Sequence, residues 1–212
     1  MARDSRNKVF TTEQCIAFEN AANPHAWLLS ADGLHSQACT LWANRCQQGL
    51  LSQYDGKGRL LRTWDMTSKA NYLLCAFALE NIIKGYLVYE NPEYVRDGQL
   101  SSAIKSHKLT SLAASAKKLP KPRGRSDVLQ AFEAGNESWM RYPCGADADD
   151  LDIQPNLTPE LWERYMRVMK SYCFTLERLL GRGWKGPHQW EGSFNFDHAP
   201  KKHSDRSTFS QV

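Results

Sequence analysis

Glu80 and Lys84 stand four residues apart inside "NYLLCAFALENIIKGYLVYE", residues 71–90, a segment apolar on nearly every side. The acid precedes the base, the favourable order for an ion pair along a helix. A surface helix would gather its polar residues onto one wet face, so this pair has two readings. In one, it sits at the edge of a bundle and Lys84 extends its charge into water. In the other, Glu80 and Lys84 line a polar notch between helices, where a buried pair must be fully hydrogen-bonded or it costs stability. His107 is the third member, because the chain returns there after "NPEYVRDGQLSSAIKS" to begin the next helix. An imidazole beside these groups can transfer protons near neutral pH; as a structural residue it would serve as a cap or hydrogen-bonder.

Two charge clusters lie elsewhere. "KKLPKPRGR" carries Lys117, Lys118, Lys121, Arg123 and Arg125 on a proline-stiffened loop, which can grip phosphates or remain a solvated run. Asp147, Asp149, Asp150 and Asp152 lack the glycine and terminal glutamate of a Ca²⁺ loop and read as an acidic loop. The six cysteines form no CxxC pair and read as reduced core thiols, so neither a metal nor another cofactor is expected. In the tail, Arg182, Lys185, Trp184, Trp190, Phe194 and Phe196 interleave cations with aromatics. Such residues can stack bases, or bury their area as a strap over the body.

The elements that must hold these residues are helices. Asn23-Pro24 pairs a cap with a proline at the first helical position, and apolar residues follow at spacings of three and four, predicting a helix from 24 to about 53. "YDGKGR" breaks it. A second helix spans 67–90 and ends before Asn91-Pro92. Shorter helices are expected at 107–118 and 127–140, and a last long one at 158–181, opened by Thr158-Pro159-Glu160 and closed by Gly181. No segment alternates apolar and polar residues for long, and no repeat appears. The expected architecture is all-α: an N-terminal arm over 1–22, a bundle over 23–182 and an irregular tail over 183–212.

At 212 residues and 42% apolar, the chain can bury one core. A net charge of +4 and a pI near 8.7 permit nucleic-acid binding without demanding it. The N-terminus has charge but no apolar run after it, and no eighteen apolar residues follow one another, so a cytoplasmic protein that does not span a membrane is expected.

The order "ANYLLCAFALENIIKGYLV", a loop, "SHKLTSLA", and then "RYP" after another helix resembles the HEPN superfamily over roughly residues 66–180. The matching residues are Glu80 and Lys84, His107 and Leu109, and Arg141-Tyr142-Pro143. The resemblance implies a four- to five-helix up-and-down bundle, often a homodimer, with no cofactor, in a superfamily of metal-independent ribonucleases, toxins of toxin–antitoxin pairs and antiviral defence proteins. Its ribonuclease members carry an arginine followed a few residues later by a histidine, one to hold phosphate and the other to transfer protons. The corresponding interval here is Arg182 to His188, in "RGWKGPH", whose glycines and proline oppose the helical register that would align the two side chains. His107, Arg141, Arg182 and His188 are therefore the candidate catalytic residues; Glu80, Lys84 and the basic loop are the candidate binding residues. Three functions follow: a module binding RNA, a nucleotide or a protein partner such as an antitoxin or defence protein; a metal-independent endoribonuclease; or a non-catalytic assembly subunit. The favoured one is the binding module. For the tail the expectation is a structural strap, with His188 facing solvent and the last residues mobile. Seven tryptophans and eight tyrosines, more than one small core readily hides, add to the expectation of a homodimer.

Overall fold

The computed structural model describes residues 9–45, 50–65, 67–137, 157–188 and 191–192. It is mostly helical: α1 (Thr12–Ala22), α2 (Pro24–Ala43), α3 (Ser68–Glu90), α4 (Leu109–Ser115), α5 (Arg125–Glu137) and α6 (Pro159–Leu180), with 3₁₀ turns at Pro92–Gly98 and Ser102–Ile104. Two short antiparallel pairs join them, β1 (Leu50–Tyr54) with β2 (Leu60–Asp65) and β3 (Trp184–Lys185) with β4 (Glu191–Gly192).

One expected boundary is corrected, and the expected arm contains a helix. Within the expected N-terminal arm, residues 12–22 form α1, started by a reciprocal capping box of Thr11 and Gln14. The helix expected to reach 53 stops at Ala43, and 50–65 is a hairpin. Its turn is built locally: the Asp55 carboxylate accepts from the amides of Lys57 and Arg59, both at 2.9 Å, and Gly58 takes φ +77°. Ser52 and Thr63 face each other across the ladder with hydroxyls 3.0 Å apart.

The remaining helices lie within a few residues of expectation. Asn23 caps α2 and Thr158 caps α6, each followed by proline at the first turn. The stripe Tyr165, Val168, Met169, Tyr172, Leu176 and Leu180 of α6 is buried, as periodicity requires of a core-facing helix. Leu109, Leu112, Ala116 and Leu119 are buried around α4, and Val128, Leu129 and Phe132 along α5. Trp139, in the same expected helix, lies outside the described residues.

α3 touches α2, α4, α5 and α6, which is why its sequence is apolar all round. It is the one described helix long and apolar enough to cross a membrane, and most of it is buried inside this fold. Gly85 permits the close approach: a Cβ there would meet Leu176 Cδ2 at 3.0 Å and Trp27 Cβ at 3.3 Å. Aromatics fill the interior. Tyr72, Tyr86, Tyr165, Tyr172 and Phe132 are fully buried, and the Tyr86 hydroxyl donates to the Tyr172 carbonyl at 2.7 Å. Of the seven tryptophans and eight tyrosines, Tyr72, Tyr86, Tyr165, Tyr172, Trp162 and Trp184 lie buried in this core.

Candidate functional site: a buried Glu–Lys pair reached by a histidine

Glu80 and Lys84 fall on the same face of α3, one turn apart, and the Lys84 ammonium donates to Glu80 Oε1 at 2.7 Å. Both side chains are buried, at 8% and 7% exposure, so the reading in which Lys84 reaches water is set aside. Lys84 instead lies 6.0 Å from the centre of the Trp27 ring, which Gly85 allows to come close.

His107 completes the group. It sits in the extended stretch before α4, between Ile104 and Leu109, both fully buried anchors. The Glu133 carboxylate of α5 fixes the start of α4 by accepting from the Thr110 amide at 2.6 Å and hydroxyl at 2.7 Å. His107 Nδ1 is thereby held 3.1 Å from Oε1 and 3.0 Å from Oε2 of Glu80, while its own side chain is 54% exposed. The expected approach of the three residues across the α3–α4 junction is therefore present. Lys84 satisfies the carboxylate from inside and His107 from outside.

With Nδ1 directed at the carboxylate, Nε2 is the ring atom left for a ligand. It accepts a hydrogen bond in the neutral ring and donates in the charged one. A carboxylate holding an imidazole in this way fixes its orientation, which suits binding an anionic oxygen or transferring a proton.

Arg141 lies outside the described residues, as do Asp147, Asp149, Asp150, Asp152, Trp190, Phe194 and Phe196. Arg182 is exposed in the turn after α6. His188, expected to face solvent, is part-exposed at 31% of its side chain, and its Nδ1 also meets Glu19 Oε1 of α1. Its φ of +48° is uncommon for a residue bearing a Cβ. Trp184 is 4% exposed, as expected of a strap.

The basic loop is ordered from below. The amides of Lys117 and Lys118 donate to the Glu90 carboxylate at 2.9 and 2.5 Å, and Leu119 is buried. Lys117, Lys118, Lys121 and Arg123 are exposed. Arg125 differs, because its Nη1 is buried without a hydrogen-bond partner among the described residues and its charge lies near the buried Tyr172 hydroxyl.

Two polar groupings were not anticipated. The first is Glu19, fully buried on α1 with Oε2 unpartnered among the described residues; its place near the end of a short helix gave no periodic cue to burial. The second joins His35, Cys39 and Tyr165. His35 Nδ1 is 3.0 Å from the Tyr165 hydroxyl and Nε2 is 3.7 Å from Cys39 Sγ. This is not an activated thiol. Burial, helped by Asp32, pushes the Cys39 thiol up, whereas burial pushes His35 down, so both favour their neutral forms. Cys173 is likewise pushed up to about 12, chiefly by burial. Cys15, Cys39, Cys75 and Cys173 are free thiols, and no grouping of metal-ligating side chains occurs among the described residues. No family model, no curated protein and no solved structure matches this chain.

Proposed function

We propose that the chain is a HEPN-like helical module that binds a phosphate-bearing ligand, a nucleotide or an RNA phosphate, at the Glu80–Lys84–His107 notch. The observation that carries this reading is the contrast in burial: Glu80 and Lys84 are enclosed, while the histidine they hold is 54% exposed. A charged imidazole oriented by a carboxylate can donate from Nε2 to a phosphate oxygen. The packing of α3 against α2, α4, α5 and α6 is compatible with the four- to five-helix up-and-down bundle of that superfamily. A homodimer, a cytoplasmic location and an antitoxin or defence partner belong to the same proposal and rest on the resemblance.

The endoribonuclease reading is weaker. His188 also directs Nδ1 at a glutamate but is 31% exposed against 54% for His107, so the more open imidazole, His107, is the one assigned any proton transfer. The test follows the His107 ring by NMR during titration with an adenosine mononucleotide, and in parallel incubates labelled RNA with the protein, with and without EDTA. A saturable shift of His107, absent in His107→Ala, together with intact RNA, is expected. No shift would overturn the binding site; metal-independent cleavage lost in His107→Ala would select the enzyme.

A further inference from the structure

α6 carries a second pattern on the face opposite its buried stripe. Arg164, Arg167, Phe174 and Arg178 recur at helical spacing and are all exposed, with Lys170 exposed on their flank. Phe174 is 65% exposed, a large ring left in water among cations. From Arg164 to Arg178 the stripe runs about 21 Å at the helical rise of 1.5 Å per residue.

Its N-terminal end continues into the basic loop. Gly124 lies beside Arg164, whose Cδ would stand 3.8 Å from a Cβ at that position. Arg123 and Lys121, both exposed, thus precede a residue in contact with the head of the stripe. Anchoring by Glu90 and Leu119 holds the loop, so these charges need little ordering when a ligand arrives. Four acids lie nearby: Asp127 pairs with Arg164 at 3.5 Å, both half or more exposed, Glu160 and Glu163 stand exposed in the first turns of α6, and Glu177 directly precedes Arg178.

The cations Lys121, Arg123, Arg164, Arg167, Lys170 and Arg178 outnumber these acids, and an ordinary solvated face has no need to leave a ring such as Phe174 in water. Cations spaced along a line with a ring open between them match a charged, flexible backbone that presents flat groups for stacking. We infer that the face formed by Lys121, Arg123, Arg164, Arg167, Phe174 and Arg178 binds single-stranded nucleic acid, its arginines and lysine on successive phosphates and Phe174 stacked on a base. The inference takes up the RNA arm of the proposed function and rests on it, yet it uses residues apart from the notch.

The test measures binding of a fluorescent single-stranded RNA 15-mer, the same sequence as DNA, its duplex and polyglutamate, across a salt series, using the full chain. The single strands should bind better than the duplex and polyglutamate, which offer no free base faces. Phe174→Ala should weaken the single strands roughly tenfold, on the scale of one lost stack. Arg164→Gln with Arg167→Gln should lower the salt slope by about 1.4, at ~0.7 per phosphate contact, and the comparison of RNA with DNA then assigns the strand. All three sites are exposed, and unchanged circular dichroism checks folding. Equal binding of polyglutamate with no effect of Phe174→Ala would overturn the assignment in favour of an acidic protein surface, and absence of RNA and DNA binding would also overturn it. The two readings separate cleanly: a His107 shift with mononucleotide but no binding of oligomers leaves the notch and removes the stripe, and the converse result does the reverse.

Discussion

The notch and the strap use the same pair of residues in opposite circumstances. In each, a part-exposed histidine directs Nδ1 at a buried glutamate from another segment, His107 at Glu80 and His188 at Glu19. At the notch the glutamate has a second partner, Lys84, one helical turn away. At the strap it has none: Glu19 is fully buried and Oε2 is unpartnered among the described residues. The hydrophobic anchor also differs. Trp184 fastens the strap through buried area, whereas His107 is placed by anchors on either side and remains open. A compensated carboxylate can hold a ligand-facing imidazole without a net buried charge; an uncompensated one closes a contact at an electrostatic cost.

The largest test of that contrast removes the compensating charge. Lys84→Met should cost about 3–5 kcal/mol in denaturant unfolding, because it strands a buried carboxylate. Adding Glu80→Gln should recover most of the loss, since the remaining amide carries no charge. A loss below about 1 kcal/mol in the single variant would show that His107 alone suffices to hold Glu80.

Glu19→Gln should be milder, within about 1 kcal/mol of the parent. The amide keeps an oxygen for His188 and removes the charge whose second oxygen lacks a partner, so a weaker contact with His188 is offset by cheaper burial. A penalty as large as that of Lys84→Met would make the two glutamates equivalent and end the comparison.

The smallest effect concerns pH and supplies the background against which both sites are read. Burial lowers the pKa of His35 in the folded chain. The unfolded chain then takes up the proton first on acidification, so the stability His35 permits is complete above the ordinary histidine value, about 6.5, and is lost as pH falls from there through the folded value. His35→Gln should make the decline in melting temperature between pH 7.5 and 5.5 shallower. An unchanged or steeper decline would contradict it.

Helical periodicity and end signals were legible in the sequence because they are local. Asn23-Pro24 and Thr158-Pro159 fixed two starts, and the apolar spacing in 159–180 named its buried stripe. The encircling apolarity of 71–90 already required a helix covered on several sides, and the order of Glu80 and Lys84 already favoured a pair. What one-dimensional pattern could not decide was anything depending on which surfaces meet. Leu50 and Leu51 suit a continued helix as well as a strand, and only the cross-strand register from Leu50 to Asp65 separates them. The burial of Lys84 depended on Trp27 arriving over Gly85. The partner of His188 lay far back along the chain in α1. Residue type and spacing determine what each segment offers; the desolvation that gives a charge its energetic weight comes from neighbours distant in sequence, and only the packed chain supplies them.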